Sequence, residues 1–388
     1  MPTAPTIDRH ALLASVRSVV IKIGTNALTD PAGRIDLGLL SHFAQQVATL
    51  KAKKIQVTMV SSGAIGAGIT QLGLPGRPRD LPTLQAAASV GQSILMNLFA
   101  DAFRALGSEA KDALHVGQIL ITRGDFEDRH RYLNLRNCIH ALHRHHCIPI
   151  LNENDSVAVA EIRFGDNDLI AAQVTHLLRA DLLILLSVVD GLLDPAGHTI
   201  PLIHDVDDAA VNVNDSQKSS RGTGGMGSKL LAAGTVRTAG EPVLIANGKR
   251  PHILTDLLDG QPLGTLILPK GMTPASPTAR RLSSRSRWIS LTARTKGTLT
   301  VDDGAAAALR ANKSLLASGI LASTGTFDAG DPLLITTLDG TPLAKGLSNY
   351  AHEELVLIRG HKSSDFAALL KTDTYYDEVI HKDNLVLE

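Results

Sequence analysis

The chain has 388 residues, with 38 Lys+Arg against 38 Asp+Glu, so no net charge draws it toward nucleic acid or an anionic membrane. That length is too great for one core and predicts two domains. Two cysteines, Cys138 and Cys147, exclude a disulfide framework, no basic-then-apolar leader opens the chain, and the apolar stretch around Leu182–Leu186 is far too short to span a bilayer; the expectation is a cytoplasmic protein.

The first element in chain order is Val19-Val-Ile-Lys-Ile-Gly24, a strand with one lysine placed before the glycine that ends it. A lysine inside an apolar strand is disfavoured unless its ammonium reaches water or an anion. Glycine there permits a tight turn and close approach of a ligand. A second strand, Ile55–Val60, runs into Ser61-Ser-Gly-Ala-Ile-Gly-Ala-Gly68. Several backbone N–H groups then point outward at a helix start, where anions are favoured. The plainer alternative is that these small residues only ease helix–sheet packing.

Helical periodicity covers 36–52, 83–106 and 132–146, and apolar strands are predicted at 114–121 and 147–151. His140, His143, His145, His146 and Cys147 invite a metal reading, but a tetrahedral set needs more ligands at suitable spacing; a polar helix face is the better account.

The most informative stretch follows. Cys147-Ile-Pro-Ile-Leu151 reads as a buried strand ending in Asn152-Glu-Asn-Asp-Ser156, and Gly165-Asp-Asn-Asp168 precedes a helix beginning at Leu169. Asn and Asp favour turns and N-caps, which would explain either motif alone. Two in succession at the carboxyl end of a strand mark the place where open α/β sheets bind ligands. They can hydrogen-bond an amine, orient a carboxylate or position a metal-bound phosphate.

Another strand covers 182–187, and Arg221-Gly-Thr-Gly-Gly-Met-Gly-Ser-Lys229 then opens a helix over 228–239, with a strand at 242–246 beyond it. This is not a Walker A loop, because G-x-x-x-x-G-K-[ST] is absent. A flexible linker is the alternative, weakened because a lysine in a helix's first turn is unfavourable without an anion to meet. Alternating strands and helices predict an α/β unit: a mostly parallel sheet with helices on both faces.

Around residue 275 the texture changes. Met272–Arg287 is rich in Pro, Ser and Arg, as a linker is; Gly297–Val301, a helix Gly304–Asn312, Gly330–Ile335 and Gly340–Gly346 follow as short elements. The expected division is 1–275, a linker 276–295, a small domain 296–374 and a tail 375–388.

In their order, Lys22 with Gly24, Ser61-Ser-Gly-Ala64, Asn152-Glu-Asn-Asp155, Gly165-Asp-Asn-Asp168 and Gly222-Thr-Gly-Gly-Met226 with Lys229 resemble the amino acid kinase family. Within it they resemble the branch that phosphorylates L-glutamate in proline biosynthesis. Ala86–Gln92, Leu120–Arg123, Arg131–Asn134 and Ala246–Lys249 also fit. The second block resembles a PUA domain, a small β-barrel common in RNA-modifying enzymes.

The resemblance implies ATP and Mg²⁺, with Mg²⁺ held mainly by the ATP phosphates and no metal-ligating side chain. It implies Lys22, Lys229 and Asp168 as catalytic residues, with Asp166 the alternative to Asp168, and Ser62, Asp155 and Asn167 as the glutamate site. The nucleotide would be held by Lys22, Gly24, Gly63, Ser187, Val188, Thr223, Gly224, Gly225, Met226, Gly227, Ser228 and Lys229. Many relatives have Thr-Asp where this chain has Ser187-Val188, which weakens the adenine side. Proline as a feedback inhibitor and a homodimer or homotetramer are further expectations. The different class of function is RNA binding through the second block. From Lys296 to Glu388 there are 8 Lys and Arg against 13 Asp and Glu, so RNA is not the expected partner.

Overall fold

The computed structural model describes residues 7–31, 33–107, 114–158, 167–204, 225–273 and 281–387. The chain divides into two compact units, Met1–Asp125 with His130–Arg281, and Phe126–Arg129 with Leu282–Glu388.

The first unit is built on eight strands: β1 (Ser18–Ile23), β2 (Gln56–Ser61), β3 (Val116–Ile121), β4 (Ile148–Glu153), β5 (Leu182–Ser187), β6 (Leu202–Ile203), β7 (Val243–Asn247) and β8 (Thr265–Ile267). They lie in the order β3-β4-β2-β1-β5-β7-β8-β6. Only β7 and β8 pair antiparallel; the other neighbours are parallel. The six strands expected from sequence are present, and β4 runs two residues further than its apolar run, carrying Asn152 and Glu153 into the sheet.

Side chains alternate across a strand, which separates the two faces of β1. Val19, Ile21 and Ile23 pack with Leu40, Phe43, Val47, Phe99 and Leu254 from the helices Leu37–Ala52, Leu81–Arg104 and Ile253–Leu258. Val20 and Lys22 therefore face the other way. On that side lie the helices Asn167–Leu178 and Met226–Thr238, which pack against each other.

Helix starts follow ordinary capping chemistry. Asp36 accepts from the N–H groups of Gly38 and Leu39, and Asp80 accepts from that of Thr83. The small residues after β2 ease a helix–helix contact, not a helix–sheet one. A Cβ on Gly68 would stand 1.7 Å from Ala87 O, and one on Gly91 1.8 Å from Ala64 O. The helices Ala64–Gln71 and Leu81–Arg104 thus touch backbone to backbone.

His143 places Nε2 2.9 Å from Thr58 Oγ1, and burial together with nearby Lys51 and His140 pushes its pKa down to about 4. It is a neutral histidine hydrogen-bonded to β2. Among the described residues no helix is long and apolar enough to cross a membrane.

The second unit holds β9 (Gly297–Val301), β10 (Ile320–Gly325), β11 (Pro332–Thr336), β12 (Pro342–Leu347) and β13 (Leu385–Leu387), a mixed sheet in the order β10-β9-β11-β12-β13. Two sequence expectations change here. The stretch assigned to a linker is folded from Leu282 onward: Ser284–Arg287 is helical, Arg287 is fully buried with Nε donating to Leu282 O, and Trp288 Nε1 donates to Phe126 O at 3.1 Å. Residues 276–280 lie outside the described residues. The presumed tail is part of the core: Val379 and Ile380 are buried, and β13 pairs with β12. Its apolar residues are spaced too irregularly to show a period.

Candidate active site at the carboxyl edge of the sheet

β1 lies between β2 and β5, with Lys22 in register with Val60 and Leu185. From β1 the chain goes to β2 on one side, and it returns from β4 to β5 on the other. A crevice opens where a parallel sheet reverses direction in this way, beyond the carboxyl ends of the strands. The polar motifs of the sequence converge there.

Asp168, in the first turn of the helix Asn167–Leu178, is fully buried and lies between two lysines. Its Oδ1 is 2.7 Å from Lys22 Nζ and its Oδ2 is 3.0 Å from Lys229 Nζ. Both lysines are themselves buried. Burial alone would raise the Asp168 pKa; the ammoniums of Lys22 and then Lys229 outweigh it and hold the carboxyl down at about 2. Ser228 Oγ is 3.0 Å from both Asp168 Oδ2 and Gly225 O, so its single proton is shared between two acceptors. Of the two acidic candidates, Asp168 holds the lysines; Asp166 lies outside the described residues.

Asn167, the neighbour of Asp168, binds the turn after β2. Its Nδ2 donates to Ser62 Oγ at 2.7 Å, to Ser61 O at 3.0 Å and to Asn152 Oδ1 at 3.1 Å. Its Oδ1 is shielded from solvent and has no hydrogen-bond partner among the described residues. An orphaned buried acceptor costs stability unless a ligand donor meets it. Asp155 lies just beyond β4, half-buried; burial pushes its carboxyl up to about 6, opposed by the charge of Arg77. No described ion pair engages it.

Gly63 sits at φ +107°, a conformation that favours glycine, and begins the helix Ala64–Gln71 with no side-chain cap. Its N–H has no acceptor among the described residues. Gly24 gives its N–H to Leu186 O at 3.3 Å, so that donor is already engaged. What Gly24 supplies is space, since a Cβ there would stand 3.7 Å from Lys22 Nζ.

On the β5 side, Ser187 pairs with Asn247 in register, and Val188 is 43% exposed. Asn247 Nδ2 donates to Asp190 Oδ1 at 3.1 Å, a contact the sequence reading did not foresee. Gly225, Met226, Gly227 and Ser228 lead into Lys229 at the start of Met226–Thr238, whose Ncap Gly225 provides no side-chain cap. Thr223 and Gly224 lie outside the described residues. The anion that Lys229 meets at this helix start is the chain's own Asp168. Gln92, whose Oε1 accepts from Asn152 Nδ2 at 2.7 Å, is a polar residue to which the sequence assigned no role of its own.

Residues 17–247 match the Amino acid kinase family and residues 297–370 match the PUA domain. The chain is 41% identical over 386 residues to a glutamate 5-kinase of Geobacter sulfurreducens, covering 98% of this chain and 100% of that protein. It is 42% identical over 387 residues to a glutamate 5-kinase of Syntrophus aciditrophicus, covering 98% and 96% respectively. Among solved structures, carbamate kinase from Giardia lamblia bound to AMP-PNP gives a TM-score of 0.48 at 17% identity, over 66% of this chain and 99% of that one.

Proposed function

The chain belongs to the amino acid kinase family, and from that premise we infer that it transfers the γ-phosphoryl group of ATP to the side-chain carboxylate of L-glutamate. The product is L-glutamyl 5-phosphate, and the step is the first of proline biosynthesis. One observation carries the choice of acceptor: likeness to glutamate 5-kinases runs along 98% of the chain.

In phosphoryl transfer a protein mostly positions reactants and offsets charge. Lys22 and Lys229 are the cations for the transferring and nucleotide phosphates. Asp168 holds both by opposite oxygens, and one negative charge between two positive ones leaves a net attraction for phosphate. Gly63 offers a backbone N–H at a helix start, and Gly24 leaves room beside Lys22. A carboxylate nucleophile is already ionised at neutral pH, so no general base is required.

Asn167, Ser62 and Asp155 suit a zwitterionic amino acid. Asn167 Oδ1 and the Asp155 carboxylate accept from an ammonium, and Ser62 Oγ, which accepts from Asn167, keeps its proton to donate to a carboxylate. Proline also carries an α-carboxylate and an ammonium, a secondary one in its ring, so these residues are also where a proline inhibitor would compete. Ser187, Val188 and Gly225–Lys229 line the nucleotide side.

Both Asp168 oxygens are engaged by lysines. The ATP phosphates would hold Mg²⁺, which would neutralise charge there while keeping waters of its own.

An ATP-dependent hydroxamate assay with L-glutamate, L-aspartate and N-acetylglutamate, with ADP release covering UMP, tests the acceptor. Turnover of N-acetylglutamate or UMP but not glutamate would sink the assignment. The PUA match supports a second reading, RNA binding, which the acidic balance of that unit disfavours.

A further inference from the structure

We propose that Gln92 is a positioning residue for the glutamate site: by accepting from Asn152 Nδ2, it holds Asn152 where its oxygen receives the Asn167 amide. The proposal rests on Asn167 binding glutamate.

The orientation of each amide follows from groups that can act in one way only. The Glu153 backbone N–H can only donate, and it meets Asn152 Oδ1 at 2.9 Å. Asn152 must therefore turn Nδ2 the other way, where it lies 2.7 Å from the side-chain oxygen of Gln92. The same Asn152 Oδ1 faces Asn167 Nδ2, and the Ser61 carbonyl, which can only accept, faces it too. A reversed Asn167 would set its oxygen against two acceptors. Held as it is, Asn167 keeps Oδ1 buried and without a partner among the described residues, ready for the substrate ammonium.

Gln92 is placed by the neighbouring backbone contact. Gly91 lets the helix Leu81–Arg104 come against Ala64 O so closely that a Cβ would stand 1.8 Å away. Gln92 is then 8% exposed and Asn152 3% exposed, so water is a poor substitute for the missing partner if either is removed. Without the Gln92 oxygen, Asn152 Nδ2 is a buried donor with nothing to meet. Rotation of Asn152 to relieve that takes its oxygen away from Asn167 and from the Glu153 N–H.

Steady-state kinetics of the full chain test this with Gln92→Leu and Gln92→Glu, alone and combined with Asn167→Ala. Gln92→Leu should raise the glutamate KM about tenfold, the order expected for one lost buried partner, while the ATP KM and kcat stay within about twofold. Gln92→Glu retains an acceptor toward Asn152 Nδ2 and should recover most of the affinity. With Asn167→Ala already present, Gln92→Leu should add nothing to the glutamate KM. An unchanged glutamate KM in Gln92→Leu overturns the proposal, as does an equal rise with Asn167→Ala present, which would mean that Gln92 acts independently of Asn167. Should Gln92→Leu fail to fold, Gln92→Met, closer in length, gives the same readout. If Asn167→Ala alone leaves the glutamate KM unchanged, the glutamate-site reading is what fails, and the positioning role falls with it.

Discussion

Lys22 and Lys229 stand on opposite oxygens of one carboxylate, Lys22 Nζ 2.7 Å from Asp168 Oδ1 and Lys229 Nζ 3.0 Å from Asp168 Oδ2. One comes from a central strand and the other from the first turn of a helix that begins more than two hundred residues later. Neither position suits a lysine alone, since one is in a buried strand and the other meets the positive end of a helix dipole. The shared carboxylate makes both tolerable and fixes the two ammoniums in place; in the proposed mechanism little reorganisation then remains for the reaction.

Lys22→Ala and Lys229→Ala should each lower kcat on the order of 100-fold or more, because in the proposed mechanism each removes charge that acts on the transferring phosphoryl group. Full kcat in Lys229→Ala would remove that lysine from the catalytic set.

Asp168→Asn keeps the volume but leaves two buried ammoniums facing a neutral amide. Breaking a buried ion pair in this way costs about 3–5 kcal/mol, so thermal melting should fall along with kcat. A variant with unchanged melting temperature would show that the lysines find other partners.

Asn167→Ala and Ser62→Ala should raise the glutamate KM while the ATP KM changes little, since both residues are proposed to hold the acceptor. Initial rates with each substrate varied in turn separate the two. A rise confined to the ATP KM would move both residues to the nucleotide side.

The Asp155 carboxyl, pushed up to about 6 by burial, gives a pH signature. Below that pH it is protonated in the free enzyme and attracts an ammonium less, so the glutamate KM should climb as pH falls through 6. Asp155→Asn should raise the KM and flatten this dependence. Stability should move oppositely. The folded-state pKa lies above the ordinary 3.8, so the folded form takes up protons in the window between them and loses stability as pH rises from about 4 to 6. Asp155→Asn should therefore melt higher than the parent at pH 7 to 8 and no higher near pH 3. Equal melting at neutral pH would show that the carboxylate carries no burial cost.

Three glycines in the site should answer differently to alanine. Gly63→Ala strains a backbone held at φ +107° and should lower stability as well as activity. Gly24→Ala meets only ordinary contacts, 3.4 Å to Leu186 O and 3.7 Å to Lys22 Nζ, and should lower activity with little change in melting, because the methyl occupies space beside the ammonium. Gly227→Ala meets nothing within 4 Å and serves as the mild case. Melting curves and kcat measured side by side decide it; equal melting losses for Gly24 and Gly63 would contradict the assignment.

Local pattern carried much of this protein. Apolar runs of strand length alternating with helical periods predict a parallel α/β unit, because the side-chain period of each element is a property of a few neighbouring residues. Polar motifs at the ends of those runs and at helix starts, at Lys22, Ser61–Gly63, Asn152–Asp155, Asn167–Asp168 and Ser228–Lys229, mark the candidate site at the edge of the sheet. The tertiary structure decided which of them meet. That Asp168 serves Lys22 and Lys229 together, that Asn167 leans on Ser62 and Asn152, and that Gln92 stands behind Asn152 all depend on strand order and on helices approaching through Gly68 and Gly91. The burial of Arg287 and the pairing of β13 were hidden for the same reason: an Arg-rich stretch and a few scattered apolar residues have no period of their own, and only a packed partner elsewhere in the chain determines whether they are linker or core.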